Sequence, residues 1–178
     1  MSQTLLADAQ EAPSDADLAF DRLYRSSRDD VFAYVAGLLR DRPAAEEVTA
    51  TAFERAYRKR SRFDPERGEP RAWLFGIARN AALDELRRRR RQAELVEDSA
   101  DPLPAGSDDS AESSARRAML SRALAELEPR ERELIALKFF ADLGNTEIGS
   151  VLGISESNVG TRLHRAVAKV REACDGAP

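Results

Sequence analysis

Apolar side chains recur at intervals of three and four residues along most of the chain, with charged and polar residues between them. This spacing places them on one face of an α-helix. A first amphipathic helix is predicted from about Phe20, with a break near Ser26 and Ser27. Its apolar face carries Phe20, Leu23, Tyr24, Val31, Phe32, Val35 and Leu38. No stretch alternates as a β-strand does, so the pattern predicts an all-α protein.

A second and a third helix follow. Pro43 suits the first turn of the second helix, because its missing N–H is not needed there, and this helix should end near Ser61. The segment Phe63–Pro70 contains two prolines and one glycine, which predicts a loop. The third helix is expected to begin at Arg71, with an apolar first half and a basic second half.

Two segments are too poor in apolar side chains to form a core. Residues 1–17 carry 4 acidic side chains, and residues 92–115 carry 7 acidic and no basic ones. Such a composition cannot repay the entropy of ordering. We therefore expect a disordered tail and a flexible acidic linker, with two small helical domains at residues 18–91 and 116–178.

Charge is distributed unevenly. The formal net charge of the 178-residue chain is −4. Residues 55–91 nevertheless carry 13 Lys and Arg against 5 acidic residues, a net charge of +8, and end in the five arginines Arg87–Arg91. A basic helix end favours a polyanion such as nucleic acid, although it is also compatible with simple exposure to solvent.

Cysteine and histidine each occur once, as Cys174 and His164. This excludes a disulfide framework within the chain and a Cys/His zinc site, and makes a metal enzyme an unfavoured class. No apolar run approaches the roughly 18 residues of a membrane span, and the N-terminus lacks the pattern of a secretory signal. We expect a cytoplasmic protein without a membrane span, a metal or a cofactor.

Residues 145–166, NTEIGSVLGISESNVGTRLHRA, have the pattern of a helix-turn-helix. Asn145 or Thr146 would cap a short first helix, and Gly149 is small where two helices cross closely. Gly153 would supply the positive φ of the turn. The second domain is therefore predicted to contain a helix-turn-helix.

The second helix of this motif would be capped by Ser155. Its apolar residues Val159, Leu163 and Val167 would then face Ile148, Leu152 and Ile154, leaving Ser157, Asn158, Thr161, Arg162 and Arg165 outward. In such a unit, outward residues contact base edges and phosphates in the major groove. A plain helical hairpin with a solvated outer face is the alternative, and the combination of caps, small residue and turn glycine favours DNA binding.

Both halves of the chain resemble the extracytoplasmic-function (ECF) sigma factors of bacterial RNA polymerase. Residues 18–91 resemble their second conserved region, with FDRLYR, AEEVTATAFERAYR and PRAWLFGIARNAALDELRRRRR. Residues 120–172 resemble their fourth, with LAELEPRERELIALKFFADLGNTEIGSVLGISESNVGTRLHRAVAKVR. The resemblance implies a promoter-specificity subunit that is not itself an enzyme. Its implied partners are the polymerase core, through the coiled coil of the largest subunit and the flap region, promoter DNA, and an anti-sigma factor.

The resemblance also assigns DNA contacts. In the family, the loop that begins at Phe63 captures an unstacked base of the downstream (minus-ten) element; a solvated turn is the alternative. Asn80 could contact a base edge or cap a packed helix, with equal weight, whereas the cluster of Trp73, Leu74 and Ile77 is interpreted as core. The expected minus-ten residues are Phe63, Arg67, Gly68, Arg71, Asn80, Arg87 and Arg88. The expected minus-35 residues are Ser155, Ser157, Asn158, Thr161, Arg162, His164 and Arg165.

The second helix matches the family's surface for the polymerase core. The expected contacts are Glu46, Glu47, Thr51, Glu54 and Arg55. The sequence departs from the family here, because Ala50 and Thr51 stand where a Gln-Glu pair is usual. It departs again at Gly160, where the recognition helix usually has Lys or Arg; glycine costs about 1 kcal/mol of helix propensity relative to alanine.

Three other functions remain to be weighed, and one of them is a pure interaction protein, since the resemblance implies a chain held inactive by an anti-sigma factor. A helix-turn-helix repressor or activator acting on duplex DNA would use residues 120–172 but leaves the arginine-rich third helix without a role. A nucleic-acid-processing enzyme would need clustered carboxylates, and Asp84 and Glu85 are the only acidic pair on that helix. They are more simply salt partners of the neighbouring arginines.

Overall fold

The computed structural model describes residues 14–95 and 111–175, and these residues form helices and short connections without a β-strand. Two 3-10 turns, Arg60–Arg62 and Pro65–Arg67, connect the second and third helices, and a π-helical turn, Ala136–Phe140, continues the fifth. The α-helices of the described residues are α1 (Asp15–Leu39), α2 (Arg42–Lys59), α3 (Pro70–Leu95), α4 (Ala111–Glu126), α5 (Pro129–Ile135), α6 (Asn145–Leu152) and α7 (Glu156–Asp175).

Helix α1 begins within the segment that the sequence assigned to a disordered tail. The Ser14 hydroxyl accepts a hydrogen bond from the Asp17 N–H at 3.2 Å, and the Asp17 carboxylate accepts one from the Ser14 N–H at 3.2 Å. This reciprocal capping satisfies backbone donors that a helix start leaves unpaired. Ser14 therefore caps the first helix and residues 15–17 belong to it, while residues 1–13 lie outside the described residues.

The predicted break in α1 near Ser26 and Ser27 is wrong. The Ser26 hydroxyl donates to the Leu23 carbonyl at 3.2 Å, and Ser27 is buried. A serine that satisfies its hydroxyl within the preceding turn does not have to interrupt a helix. The helix ends instead at Leu39, where Arg40 takes the left-handed conformation and Asp41 caps α2.

The helices also extend into both ends of the predicted linker. Residues 92–95 continue α3 and residues 111–115 belong to α4. Residues 96–110 and 176–178 lie outside the described residues. The sequence RRRRRQAEL keeps straight-chain helix formers beyond the arginine run, which explains why α3 continues past the predicted boundary.

Helices α1, α2 and α3 pack against one another to form the first helical unit. Their buried faces carry small and aromatic side chains, and edge-to-face ring pairs join the helices at Tyr24 and Phe53 and at Tyr34 and Phe75. Alanines at Ala45, Ala52 and Ala56 let the helix backbones approach closely.

Helices α4, α5 and α6 pack against α7 to form the second unit. The fully buried side chains of this unit include Leu134, Leu137, Leu143, Ile148 and Val159. The predicted all-α class, with two helical units and a helix-turn-helix in the second, is confirmed. Within the described part of the chain, no helix combines the length and apolar character needed to cross a membrane.

Two pairs of elements make the main contacts between the units. Helix α1 packs against the π-helical turn Ala136–Phe140, and α3 packs against α6. One apolar cluster accordingly contains buried residues of both units. The units are thus held in one arrangement, whereas the linker composition predicted no fixed placement.

A network of ion pairs ties the arginine-rich part of α3 to its own unit. Glu85 accepts hydrogen bonds from Arg88 at 2.7 Å and Arg89 at 2.8 Å, and Arg89 also donates to Asp41 at 2.9 Å. The hydrogen bonds from Arg88, followed by those from Arg89, lower the pKa of Glu85 from 4.5 to about 2. Because this pKa is lowered by folding, the network stabilises the fold above pH 4.5 and stops doing so as the pH falls towards 2.

Glu85→Gln should lower the free energy of unfolding at pH 7 by about 1 to 2 kcal/mol, less than the full pKa shift implies because Arg88 is exposed and screened by solvent. The difference from wild type should shrink between pH 4.5 and 2. Urea unfolding at several pH values measures both. Asp21→Asn, which removes an exposed pair with Arg25, is the matched control and should have a smaller effect. Equal effects of the two substitutions would contradict the assigned role of Glu85.

Candidate nucleic-acid interface

The helix-turn-helix has the predicted turn. Gly153 adopts a φ of 69°, and the Ile154 N–H donates to the Gly149 carbonyl at 3.1 Å. Ser155 caps α7, since its hydroxyl accepts from the Asn158 N–H at 3.3 Å. Gly149 is small for a different reason than predicted: an added Cβ would lie 2.7 Å from the Ile154 carbonyl oxygen, so the close approach is to the turn backbone.

The predicted cap of the first helix of the motif is wrong. Helix α6 starts at Asn145, and Gly144 occupies the capping position. The Glu147 carboxylate accepts from the Gly144 N–H at 2.8 Å. Glu147, the third residue of the helix, thus satisfies the N–H of the capping residue itself, which is one half of a capping box.

The outer face of α7 is accessible along its first half. Val159 and Leu163 are buried and anchor the helix. All the residues predicted to contact the minus-35 element are exposed: Ser155, Ser157, Asn158, Thr161, Arg162, His164 and Arg165. The structure therefore brings these seven side chains to one accessible end of the helix. At Gly160, a Cβ would meet the Asn145 amide at 3.7 Å, an ordinary contact, so space does not require glycine there.

A second site is centred on the loop between α2 and α3. The half-buried rings of Phe63 and Trp73 lie 5.3 Å apart at 54°. Gly68 has a φ of 142°, a conformation that favours glycine, and space around it is open. A groove of about 340 Å³ runs past these residues. One side of this groove is lined by Ser150 and Val151, which lie on α6 of the second unit.

The other predicted minus-ten residues lie along this loop and α3. Arg67 lies in the second 3-10 turn. Asn80 is exposed on α3, which disfavours its alternative role as a core-facing cap. Arg71 is engaged by an ion pair to Asp30 at 2.8 Å. Leu74 is fully buried, as its interpretation as core requires, whereas Trp73 and Ile77 are only half-buried.

Three arginines of the run are paired within the protein: Arg87, Arg88 and Arg89. Arg87 contacts Asp84 at 3.2 Å, and Arg88 contacts Glu85 at 2.7 Å. Both side chains remain more than half exposed, at 70% and 54%. They can still approach phosphates, but they would exchange an existing carboxylate partner in doing so.

The residues predicted to contact the polymerase core share the outer face of α2. Glu46, Glu47, Glu54 and Arg55 are exposed and Thr51 is half-buried. Intrahelical pairs form between Arg42 and Glu46 at 3.2 Å and between Arg58 and Glu54 at 2.6 Å, while Arg55 reaches Asp84 of α3 at 3.5 Å. Glu47, Thr51 and Arg55 also line a groove between α2 and α3 together with Arg88.

Three polar residues at the contact between the units were missed by sequence reasoning. Glu133 is 7% exposed and lies on α5. Arg79 of α3 donates to it at 2.7 and 3.3 Å, and the Tyr34 hydroxyl of α1 donates to it at 3.4 Å. Burial beside Glu133 raises the pKa of Tyr34 well above its ordinary value, so the hydroxyl keeps its proton. Among the described residues, no group of three or more His, Cys, Asp or Glu side chains could hold a metal ion.

An exposed helix-turn-helix, a basic helix and an aromatic loop together define a DNA-binding protein. Residues 23–92 match Sigma-70 region 2, and residues 117–170 match Sigma-70, region 4. The RNA polymerase sigma factor CarQ of Myxococcus xanthus is 36% identical over 157 residues, covering 86% of this chain and 88% of that one. The ECF RNA polymerase sigma factor SigM of Bacillus subtilis is 26% identical, covering 86% and 94%. The chain belongs to the ECF sigma factors of bacterial RNA polymerase.

Solved structures agree in fold. CnrH, in complex with the cytosolic domain of CnrY, matches with a TM-score of 0.66 at 28% identity, covering 90% of each chain. The sigma factor RpoE of Bartonella quintana, in complex with the anti-sigma factor NepR, matches with a TM-score of 0.75 at 19% identity, covering 90% of this chain and 99% of that one. The second likeness concerns the fold alone.

Gly149→Ala should destabilise the second unit more than Gly153→Ala. The first substitution places Cβ 2.7 Å from a backbone oxygen, whereas the second meets open space and has only the backbone cost of a φ of 69°. We expect about 1 kcal/mol for Gly153→Ala and roughly twice that or more for Gly149→Ala. Thermal unfolding compares them. If Gly149→Ala were the milder change, the turn packing described above would be incorrect.

Proposed function

We propose that this chain directs RNA polymerase to promoters through two separate DNA contacts. The outer face of α7 would contact the minus-35 element in the major groove, with Asn158, Arg162 and Arg165 near base edges and hydroxyl groups near phosphates. The observation that carries the proposal is the presence, in one chain, of this exposed recognition face and of the aromatic loop groove.

The loop groove would hold an unstacked base of the minus-ten element. Phe63 offers a ring face for stacking beside Trp73, and the open backbone at Gly68 allows a base to approach closely. Removing a base from the stack costs a few kcal/mol, which contacts made only to that base would offset. Asn80 can both donate to and accept from a base edge.

The polymerase core would contact the outer face of α2. Glu46, Glu47, Thr51, Glu54 and Arg55 are the proposed contacts with the coiled coil of the largest subunit, and the second unit would contact the flap region. The chemistry of RNA synthesis belongs to the polymerase, so the chain would act without catalysis of its own, in the cytoplasm where the polymerase works.

We also propose control by an anti-sigma factor. A groove of about 540 Å³ lies between the units, with an apolar lining that includes Leu83, Leu86 and Pro129. Five arginines line it against one carboxylate, Glu133: Arg79, Arg87, Arg90, Arg130 and Arg132. This chemistry suits a partner segment with apolar and acidic residues. The solved complex of CnrH with the cytosolic domain of CnrY, at 28% identity to this chain, supports the binding of a partner protein.

Arg162→Ala and Arg165→Ala should each weaken use of the upstream element, by about 1 to 3 kcal/mol where the side chain contacts a base. A residue that contacts only phosphate would instead reduce the salt dependence of binding by about one unit of slope. Footprinting of reconstituted holoenzyme measures the protection of the element.

Arg171→Ala, six residues beyond Arg165 along α7, removes the same charge and is the control. Unchanged upstream protection in both Arg162→Ala and Arg165→Ala would place α7 outside the groove.

Phe63→Ala and Asn80→Ala should impair promoter opening on duplex DNA more than on a template already melted at the minus-ten element, because only duplex DNA requires a base to be unstacked. Transcription with bacterial core polymerase on a genomic promoter pool identifies the promoter. Permanganate footprinting of the two templates then measures opening.

Gln92→Ala changes another exposed amide on α3 and should leave opening intact. Equal losses on both templates would assign Phe63 and Asn80 to the fold or to core binding. If the isolated chain bound an operator tightly and failed to support transcription, a repressor would replace the sigma factor as the proposed function.

A further inference from the structure

The polar contact between the two units is built around a single buried carboxylate. Glu133 of the second unit is 7% exposed, and its hydrogen bonds come from Arg79 and Tyr34 of the first unit. A buried charge is tolerated when it is paired and hydrogen-bonded, and is costly otherwise. The environment of Glu133 is therefore satisfied by the arrangement in which the units touch.

Two further contacts support the same arrangement. Arg71 donates both to Asp30 of its own unit and to the Ala141 carbonyl just beyond the π-helical turn. Gly37, in the middle of α1, faces Phe140: an added Cβ would lie 2.9 Å from two carbons of that ring, and the third-nearest atom belongs to Ala136. Glycine at this position lets the second unit approach α1.

This arrangement is too short to span a promoter. By their names, the two elements lie about 25 base pairs apart, which is about 85 Å along straight B-DNA at about 3.4 Å per base pair. A compact chain of this length is about 40 Å across. In addition, Ser150 and Val151 of α6 line the groove that contains Phe63 and Gly68, so the second unit borders the site proposed for the unstacked base.

The energetics favour a contact that can be reversed. A buried ion pair contributes little net stability, because the loss of hydration nearly offsets the attraction. When the units separate, Glu133 and Arg79 regain water, and each unit keeps its own helical core. The apolar contact of α1 with the π-helical turn then provides most of the attraction, and the ion pair fixes how the units align.

We propose that the contact between the units is an autoinhibitory latch, formed by Glu133, Arg79 and Tyr34, that holds the free chain in a closed state and must open for both promoter elements to be bound. The inhibitory effect of the latch rests on the proposed function, whereas the closed state itself can be measured without the polymerase.

Small-angle X-ray scattering of the full chain tests the latch directly. Glu133→Arg places a positive charge against Arg79 and should raise the radius of gyration by about a third, as expected for two units separated by a linker. Arg79→Glu should do the same. The double variant Arg79→Glu/Glu133→Arg restores an opposite pair and should return the chain towards the wild-type value. Arg25→Glu, an equal charge change on an exposed part of α1, should leave the radius unchanged.

Gly37→Leu opens the contact by a different route. The added side chain would strike Phe140, while replacing glycine in a helix favours α1 itself. We expect an expanded chain with unchanged helical circular dichroism. A wild-type chain that is already expanded would overturn the proposal. So would wild-type dimensions for both Glu133→Arg and Gly37→Leu at native helical content.

Transcription distinguishes failure of the latch from failure of the proposed function. The opening variants should reach half-maximal transcription with core polymerase at a concentration about 2- to 10-fold lower than wild type, with the same maximum, because a larger fraction of the free chain is competent. No transcription from any variant, together with clear expansion in scattering, would overturn the proposed function and leave the latch standing. Expansion with unchanged half-maximal concentration would overturn the inhibitory role of the latch.

Discussion

The arrangement of the two units depends on helix α1, which packs against the other helices of its own unit and also against the second unit. One side of the helix meets α2 and α3, and another side meets the π-helical turn of the second unit. Val31, Tyr34 and Val35 are fully buried between these neighbours. The last nine residues of this helix, 31–39, are all apolar, so this part of α1 cannot be covered by α2 and α3 alone. The second unit supplies the remaining cover, and the position of that unit relative to the aromatic loop follows from it.

The helix-turn-helix could be predicted from sequence because its determinants are local. Gly153 and Ser155 act through their own backbone or through that of residues a few positions away, and the periodic apolar residues define the buried face of α7. The accessible residues on that helix follow from the same periodicity. The exact cap of α6 could not be predicted, because Gly144, Asn145 and Thr146 are all acceptable there and Glu147 decides between them through its side chain.

The contact between the units could not be predicted, because its determinants are far apart in the sequence. Tyr34 and Glu133 are separated by 99 residues, and Arg79 and Glu133 by 54. In the sequence of its own helix, each of these polar residues looks like an ordinary residue on a helix face that carries both polar and apolar side chains. Only the tertiary structure shows that Glu133 is buried and where its donors lie. The error at Ser26 and Ser27 is of a related kind, because the buried surroundings of Ser27 override the weak local preference of serine for helix ends.

Contact with the second unit and the proposed contact with the minus-ten element use neighbouring positions of α3. Arg79 holds the second unit, and Asn80, the next residue, is exposed at the face proposed to contact the minus-ten element. Arg71, at the start of the same helix, bonds Asp30 and the second unit, although it too lies among the proposed DNA contacts. DNA phosphates attract the same guanidinium groups that the carboxylates now hold. Promoter DNA would therefore favour separation of the units, because its phosphates would replace the carboxylates as partners of these arginines. The polymerase would hold the two units apart and so remove the entropic cost of keeping them in the open state.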